Sequence, residues 1–144
     1  MSIFAGIAAA SLLLFSCGKY EEGPKLSLAS KKARIANTWA LEKEFMGSTD
    51  ITSTYRATIE SESYIMEKDG KYSWSQTTTA AYGGQTTTET GTWELINKKE
   101  DLRMLANASG AVADTVTIVR LKSGQLWYKK IYGTLTMEYH LITK

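Results

Sequence analysis

The chain is poor in the residues that build disulfide-linked or metal-supported scaffolds. It contains one cysteine, one proline and one histidine in 144 residues, so a disulfide framework within the chain is excluded by count. A metal site needs several ligands at suitable spacing, and because the sequence offers no such cluster we expect neither a metal nor a cofactor. Lysines and arginines total 17 against 15 acids, and the signs alternate along the chain. The sequence therefore lacks the basic stripe that binds nucleic acid.

Long apolar runs are also scarce. The longest covers residues 3–15, consists mainly of Ile, Phe, Ala, Gly and Leu, and ends at Ser16 and Cys17. A run of this length is too short to span a bilayer and is typical of the hydrophobic region of a signal peptide. Only Met1 and Ser2 precede it, where a signal peptide ordinarily carries positive charge. Although this charge is missing, the apolar run predicts that the protein is exported.

The end of this run, Leu14-Phe15-Ser16-Cys17, resembles the cleavage site of a bacterial lipoprotein signal. The resemblance implies cleavage before Cys17, whose thiol and new amino group would carry acyl chains. Two or three chains would make a stable membrane anchor, since each buried methylene contributes ~0.8 kcal/mol. The alternative is that Cys17 is a small buried hydrophobe. The predicted division is a signal peptide over residues 1–16, a lipidated cysteine and flexible tether over 17–29, and a folded domain over 30–144.

The tether Gly18-Lys19-Tyr20-Glu21-Glu22 resembles the lysine-plus-acid export signal of surface-exposed lipoproteins of Bacteroidetes. That resemblance implies a lipid-anchored protein of the outer membrane, exposed at the cell surface. The alternative is an ordinary solvated linker, because a charged spacer without apolar residues does not pack.

The remaining residues predict an all-β domain, because apolar and polar residues alternate and aromatic residues are frequent. Ser30 can cap a short helix over residues 31–36 that ends at Asn37. Asp69-Gly70 and Gly83-Gly84 are typical of hairpin turns. The pattern predicts eight strands, at residues 39–45, 64–67, 71–79, 86–96, 102–106, 115–121, 125–131 and 134–142.

Eight consecutive strands joined by short turns predict an antiparallel up-and-down meander that closes into a barrel. At eight strands the interior holds either packed side chains or one small ligand. The structural alternative is a β-sandwich, which needs long crossovers, and only residues 49–63 and 107–114 have the length for one.

Asn37-Thr38-Trp39, which leads from the short helix into the first strand, resembles the Gly-x-Trp opening of lipocalins, with Asn37 in place of the glycine. The last strand has no arginine to stack on this tryptophan as in the family, which leaves Arg34 or Lys144 for that role. Four segments more closely resemble the lipocalin-like lipoproteins of Bacteroidetes, and the likeness covers nearly the whole mature chain. These segments are residues 31–39, 68–72, 91–95 and 98–102. The resemblance implies a calycin-type barrel and an apolar ligand, with no established activity.

Aromatic side chains on the predicted strands are the candidate ligand-binding residues. The chain has eight tyrosines and four tryptophans. Alternation can aim six rings into the barrel, namely Trp39, Tyr72, Trp74, Trp93, Tyr128 and Tyr139. The alternative is that these rings only fill the core. We therefore predict a membrane-anchored barrel that binds a small apolar or amphipathic molecule. The alternative function is a protein-interaction module with a filled barrel, acting as an accessory subunit of an envelope complex or as a hydrolase inhibitor.

Little in the sequence indicates catalysis, and we do not expect an enzyme. His140 alternates with Tyr139 and Leu141 and is expected to face solvent. Glu42 and Glu44 are expected to be exposed charges on one face of the first strand.

A short motif, Asp114-Thr115-Val116, resembles the O-glycosylation sequon of exported Bacteroidetes proteins and makes Thr115 a candidate glycosylation site. The alternative is ordinary turn chemistry at the aspartate.

Overall fold

The folded part of the chain begins at Ser30. The computed structural model describes residues 30–144, so the predicted signal peptide, Cys17 and the tether lie outside the described residues. The Ser30 hydroxyl accepts a hydrogen bond of 3.1 Å from the backbone N–H of Ala33 and caps helix α1 (Lys31–Ile35). The short helix and its cap are therefore where the sequence predicted them.

Strands make up most of the remaining chain. They are β1 (Thr38–Met46), β2 (Thr49–Asp50), β3 (Ile59–Met66), β4 (Lys71–Thr78), β5 (Thr86–Ile96), β6 (Asp101–Ala106), β7 (Asp114–Lys122), β8 (Gln125–Tyr132) and β9 (Leu135–Thr143). A second helix, α2 (Thr52–Thr58), lies between β2 and β3. Single 3-10 turns occupy Ala80–Tyr82 and Asn97–Lys99. Within residues 30–144 no helix has the length and apolar character that a bilayer span requires.

The sheet closes on itself. From β3 onward each strand pairs antiparallel with the next, and β1 pairs with both β3 and β9. The β1–β9 ladder runs from the Trp39–Thr143 pair to the Met46–Met137 pair. The two-residue β2 pairs only with the end of β1 and lies outside the closed circuit. The predicted eight-stranded up-and-down barrel is therefore confirmed, and a β-sandwich is excluded because the strands form one continuous sheet.

The hairpin turns also lie where the sequence placed them. Gly70 has a φ of +93° in the turn between β3 and β4, and Gly83 and Gly84 have φ values of +96° and +59° between β4 and β5. Glycine adopts these left-handed conformations without the steric cost that other residues meet.

The segment over residues 49–63 differs from the expectation of a plain connection. It contains β2, α2 and the first half of β3, which begins at Ile59 rather than at residue 64. Glu60, Ser61, Glu62 and Ser63 are polar at every position, so no apolar alternation marks the strand in the sequence.

A bulge in β1 changes which residues face the barrel interior. The register with β9 shifts between Leu41 and Lys43, so two residues of β1 oppose one residue of β9. Beyond the bulge Glu44 points inward and Phe45 outward. The expectation that Glu44 is an exposed charge is therefore wrong.

One end of the barrel is closed by α1. Ile35 is fully buried beneath the helix, and its carbonyl oxygen accepts a hydrogen bond of 2.8 Å from Trp39 Nε1. Arg34 Nη1 donates to the carbonyl oxygen of Leu121 on β7 at 2.6 Å, which ties the helix to the opposite wall. The hydrophobic core beneath the helix includes Ile35 and Trp39 together with Trp93, Leu102, Leu126 and Leu141. The part of the barrel interior that the core does not fill lies at the opposite end.

Candidate functional site

The candidate site is a cavity of about 490 Å³ inside the barrel, hereafter the barrel cavity. Its walls come from strands β1 and β3 to β9 and from helix α2. It opens at the end opposite α1, where exposed Val112 and Tyr132 form part of the lining. The lining residues are Leu41, Glu44, Tyr55, Glu62, Tyr64, Tyr72, Trp74, Gln76, Glu89, Met104, Ala106, Val112, Asp114, Val116, Tyr128, Lys130, Tyr132 and Tyr139.

Four of the six candidate aromatic residues line this cavity: Tyr72, Trp74, Tyr128 and Tyr139. Tyr128 and Tyr139 are cross-strand neighbours on β8 and β9, and their rings stack with centroids 5.1 Å apart. The Trp74 ring lies 6.3 Å from the ring of Tyr64, its partner on β3. Strand alternation therefore brings these rings together around one space.

The other two candidates, Trp39 and Trp93, do not line the cavity. They are 0% and 3% exposed and belong to the core beneath α1. Trp93 Nε1 donates to the carbonyl oxygen of Glu67 at 3.0 Å, and Lys32 Nζ lies 5.7 Å from the Trp93 ring centroid. Both indoles therefore help to close this end of the barrel.

Glu62 is the centre of a hydrogen-bond network in the cavity wall. Its carboxylate accepts hydrogen bonds from Tyr55 Oη at 2.7 Å, Trp74 Nε1 at 2.7 Å and Tyr64 Oη at 3.1 Å. Gln76 Nε2 donates in turn to Tyr55 Oη at 3.2 Å. Three donors on a single carboxylate fix these side chains with respect to one another.

Two further acidic residues, Glu89 and Asp114, line the barrel cavity, and each contacts a partner side chain. Tyr72 Oη donates to Glu89 Oε1 at 2.6 Å across the β4–β5 pair. Lys130 Nζ lies 2.5 Å from Asp114 Oδ2. Burial is the largest single effect on the pKa of Lys130 and lowers it, but the hydrogen bonds and charges of Asp114 and Tyr132 together outweigh burial, so the net shift is upward. Lys130 therefore stays charged and paired.

Glu44 has a different environment. It is 7% exposed, and its Oε2 atom is buried without a hydrogen-bond partner. The hydroxyl of Thr52 accepts a hydrogen bond of 2.9 Å from the Glu44 backbone N–H, which fixes the backbone beside the bulge. Burial raises the pKa of the Glu44 carboxyl above its usual range, and the charge of Glu62 raises it further. Glu44 therefore lines the cavity as a carboxyl group with one buried, unpaired oxygen.

The cavity tyrosines stay neutral over the physiological pH range. Burial is the main cause of the raised pKa values of Tyr55, Tyr64, Tyr72, Tyr128 and Tyr139. Hydrogen bonds to Glu62 and Glu89 add to the effect at Tyr55 and Tyr72. Their hydroxyl groups are thus hydrogen-bond donors and not anions.

The rim of the open end carries exposed apolar side chains. Val112 is 88% exposed in the β6–β7 loop, and Ile131 is 72% exposed near the β8–β9 turn. Other exposed apolar residues at this end are Met46, Tyr82, Tyr132 and Leu135. The opposite end has only Ile65 and Ile142 in this class within the described chain.

His140 does not face solvent as predicted. It lies on the outer face, opposite Leu141, but is only 8% exposed. Its ring stacks on Trp127 of β8 at 3.8 Å and lies 4.9 Å from the ring of Phe45. The prediction of the face was right and that of the exposure was wrong, because rings from two neighbouring strands cover it.

Thr115 is exposed on the outer face of β7, whereas Asp114 lies in the cavity wall with Lys130. Glycosylation at Thr115 stays a prediction. Lipidation of Cys17 also stays a prediction, because this residue is outside residues 30–144.

The acidic lining is what the sequence reasoning missed. Alternation in β3 predicts that Glu62 and Tyr64 share a face, so the inward position of Tyr64 could have pointed to Glu62. No local signal could have identified Glu44, because its orientation depends on the bulge opposite β9.

Comparisons with protein-family models and with curated proteins found no match to this chain. The fold and the cavity therefore carry the functional argument. Within residues 30–144 no group of three or more His, Cys, Asp or Glu side chains is placed to hold a metal ion.

Proposed function

We propose that the barrel binds a small amphipathic molecule in its cavity and is held at the outer membrane by a lipid anchor at Cys17. The observation that carries the binding role is the cavity itself. Its volume of about 490 Å³ falls within the range of roughly 300 to 1,000 Å³ that is typical of small-molecule sites. The anchor is supported by the apolar run that ends at Ser16 and Cys17.

The lining favours an amphipathic ligand over a purely apolar one. Tyr128, Tyr139 and Met104 offer apolar and aromatic surface, while Glu44 and Glu62 place carboxylates in the same space. An apolar ligand would leave the already buried Glu44 oxygen without a partner, and an unpaired buried polar atom costs roughly 1 to 3 kcal/mol. A ligand with a polar end avoids this cost and still buries its apolar part.

The second candidate function is a protein-interaction module in the cell envelope. The exposed Val112, Ile131 and Leu135 side chains at the open end support it, because clustered apolar residues on a surface often mark contact sites. A protein partner at this rim would cover the mouth of the cavity. The two roles differ in whether the isolated protein binds a small molecule.

A fluorescence titration distinguishes them. N-phenylnaphthylamine, a lipophilic dye that brightens in apolar sites, is added to the purified full chain in a non-ionic detergent. We expect micromolar binding, which corresponds to about −8 kcal/mol. Trp74→Leu is expected to weaken binding several-fold, because loss of an anchoring ring commonly costs about 1 kcal/mol or more. Trp127→Leu is the matched control, since Trp127 packs on the outer wall.

Equal effects of the two tryptophan variants would place the dye outside the cavity and contradict the proposal. The failure of the dye and of a panel of fatty acids, sterols and tetrapyrroles to bind the folded protein would also contradict it. The interaction module would then be preferred.

A further inference from the structure

The barrel cavity has an excess of acidic groups. Four carboxylates and a single basic side chain, Lys130, are among its lining residues within the described chain. Asp114 holds Lys130 in a salt bridge. The other three carboxylates, from Glu44, Glu62 and Glu89, therefore face the interior without a basic neighbour in the lining. The interior consequently favours positive charge over negative charge.

Glu44 points to where that positive charge would bind. Its side chain is more than nine-tenths buried, lines the cavity, and has an Oε2 atom with no hydrogen-bond partner. Buried carboxylate oxygens are normally paired, so an unpaired one on a carboxylate that lines a ligand-sized space indicates where a donor from the ligand would bind.

The aromatic walls favour the same chemistry. The hydroxyl groups of Tyr55 and Tyr64 donate hydrogen bonds to Glu62, and that of Tyr72 donates one to Glu89. These donors are therefore already used inside the wall and are not free for an anionic ligand. The stacked rings of Tyr128 and Tyr139 provide apolar surface for the rest of a cationic ligand.

We propose that the ligands of this cavity are amphipathic amines, with the protonated amine at Glu44 and the apolar part extending along Tyr128 and Tyr139 toward the mouth. This inference rests on the proposed ligand-binding function and names the chemical class of the ligand. A charge-assisted hydrogen bond from an ammonium group to Oε2 would satisfy the unpaired atom. Desolvation of the Glu44 carboxylate is unfavourable in the free protein, which is why its pKa is raised, and a bound cation would offset that cost.

The test uses three competitors that share one ring system and differ in the head group: naphthylmethylamine, naphthylmethanol and naphthoate. Each displaces N-phenylnaphthylamine from the full chain in the same non-ionic detergent. We expect the amine to compete at about tenfold lower concentration than the alcohol, and naphthoate to be the weakest.

Two variants locate the effect. Glu44→Gln keeps the size of the side chain and removes its charge, so the preference for the amine is expected to fall to within about twofold. Glu42→Gln makes the same change on the exposed face of the same strand and is expected to leave the preference unchanged. Far-ultraviolet circular dichroism checks that both variants are folded. The ranking of the three competitors on the parent protein decides the ligand class even if Glu44→Gln does not fold.

Several results would overturn the inference. These are an alcohol or naphthoate that competes as well as the amine, an amine preference that persists in Glu44→Gln, or a dye that binds and is displaced by none of the three. In the last case the proposed binding function would stand and only the ligand class would be wrong. A dye that does not bind at all would instead contradict the proposed function, and this inference with it.

Discussion

Glu44 is a residue that folding alone does not favour. Its carboxylate is buried, has an unpaired oxygen, and lies close enough to Glu62 for the two charges to repel. A buried charge normally destabilises a protein unless it is paired. Departures of this kind are concentrated at functional sites, where the interior is shaped for a ligand.

Glu44→Gln is expected to stabilise the free protein at neutral pH. The folded-state pKa of Glu44 lies above its ordinary value of 4.5, so the native state binds more protons than the unfolded state between these two values. Stability therefore falls as the pH rises from about 4.5 through the folded-state pKa. A glutamine at position 44 does not titrate, so the variant does not lose stability over this pH range in the way that the parent does. Its melting temperature should exceed that of the parent by a few degrees at neutral pH, and the difference should disappear in acid.

The control for this prediction is Glu42→Gln, which changes an exposed carboxyl of the same strand. Its difference from the parent should stay small at every pH. A melting temperature of Glu44→Gln that does not vary relative to the parent between acid and neutral pH would contradict the assigned environment of Glu44.

At the scale of elements, Gly91 shapes the contact between β4, β5 and β6. It pairs with Tyr72 of β4 and with Ala106 of β6. A Cβ atom at this position would lie 2.2 Å from the carbonyl oxygen of Leu105 and 2.6 Å from Cε1 of Tyr72. The absent side chain lets the Tyr72 ring lie over the β5 backbone and reach Glu89.

Gly91→Ala is therefore expected to destabilise the barrel by roughly 1 to 3 kcal/mol, the usual cost of overpacking. Gly110→Ala is the control, because a Cβ atom at Gly110 meets nothing within 4 Å. Its φ of +76° still disfavours alanine, by roughly 1 to 2 kcal/mol. Urea unfolding should rank the parent first, Gly110→Ala second and Gly91→Ala last. Equal stability of the two variants would contradict the close packing at Gly91.

Helix α1 depends on a contact with the first strand. Trp39 is fully buried and donates from Nε1 to the carbonyl oxygen of Ile35, the last residue of the helix. Trp39→Ala is expected to cost about 3 to 5 kcal/mol, a large part of the 5 to 15 kcal/mol typical of a domain. Thermal unfolding measures the loss. A melting temperature within a few degrees of the parent would show that Trp39 does not close the barrel.

At the scale of the whole molecule, the two ends of the barrel differ in structure. Core residues and α1 close one end, while the cavity opens at the other between loops with exposed apolar side chains. The chain enters the barrel at the closed end, since α1 immediately precedes β1.

Cys17→Ala is expected to abolish lipid attachment, because alanine has no thiol to carry an acyl chain. The protein should then stay uncleaved or leave the membrane fraction, since one acyl chain or none gives weak membrane binding. Metabolic labelling with an alkyne fatty acid measures attachment, and Ser16→Ala, which keeps the thiol, is the control. Labelling of Cys17→Ala as strong as that of the parent would refute the anchor.

Local sequence patterns were sufficient for the architecture. Ser30 predicted the helix cap, and Gly70, Gly83 and Gly84 predicted the turns. Alternation predicted the eight barrel strands except the first half of β3, and it did not predict β2 or α2. These signals depend on neighbouring residues, since capping and turn formation involve three or four positions and strand alternation has a period of two. Short connections between consecutive strands then leave few topologies other than a closed meander.

The character of the interior was decided only by contacts between residues distant in the chain. The shift in register between β1 and β9 turned Glu44 inward, and Trp127 with Phe45 covered His140. The candidate aromatic residues fall into two groups, because α1 covers only one end of the barrel. Trp39 belongs to the closed end, whereas Tyr128 lines the cavity. The sequence by itself determined a barrel with aromatic residues inside, whereas the tertiary structure decided that its open half is acidic. The reason is that the alternation of a strand specifies two faces, but bulges decide which residues lie on each face and neighbouring strands decide what those residues contact.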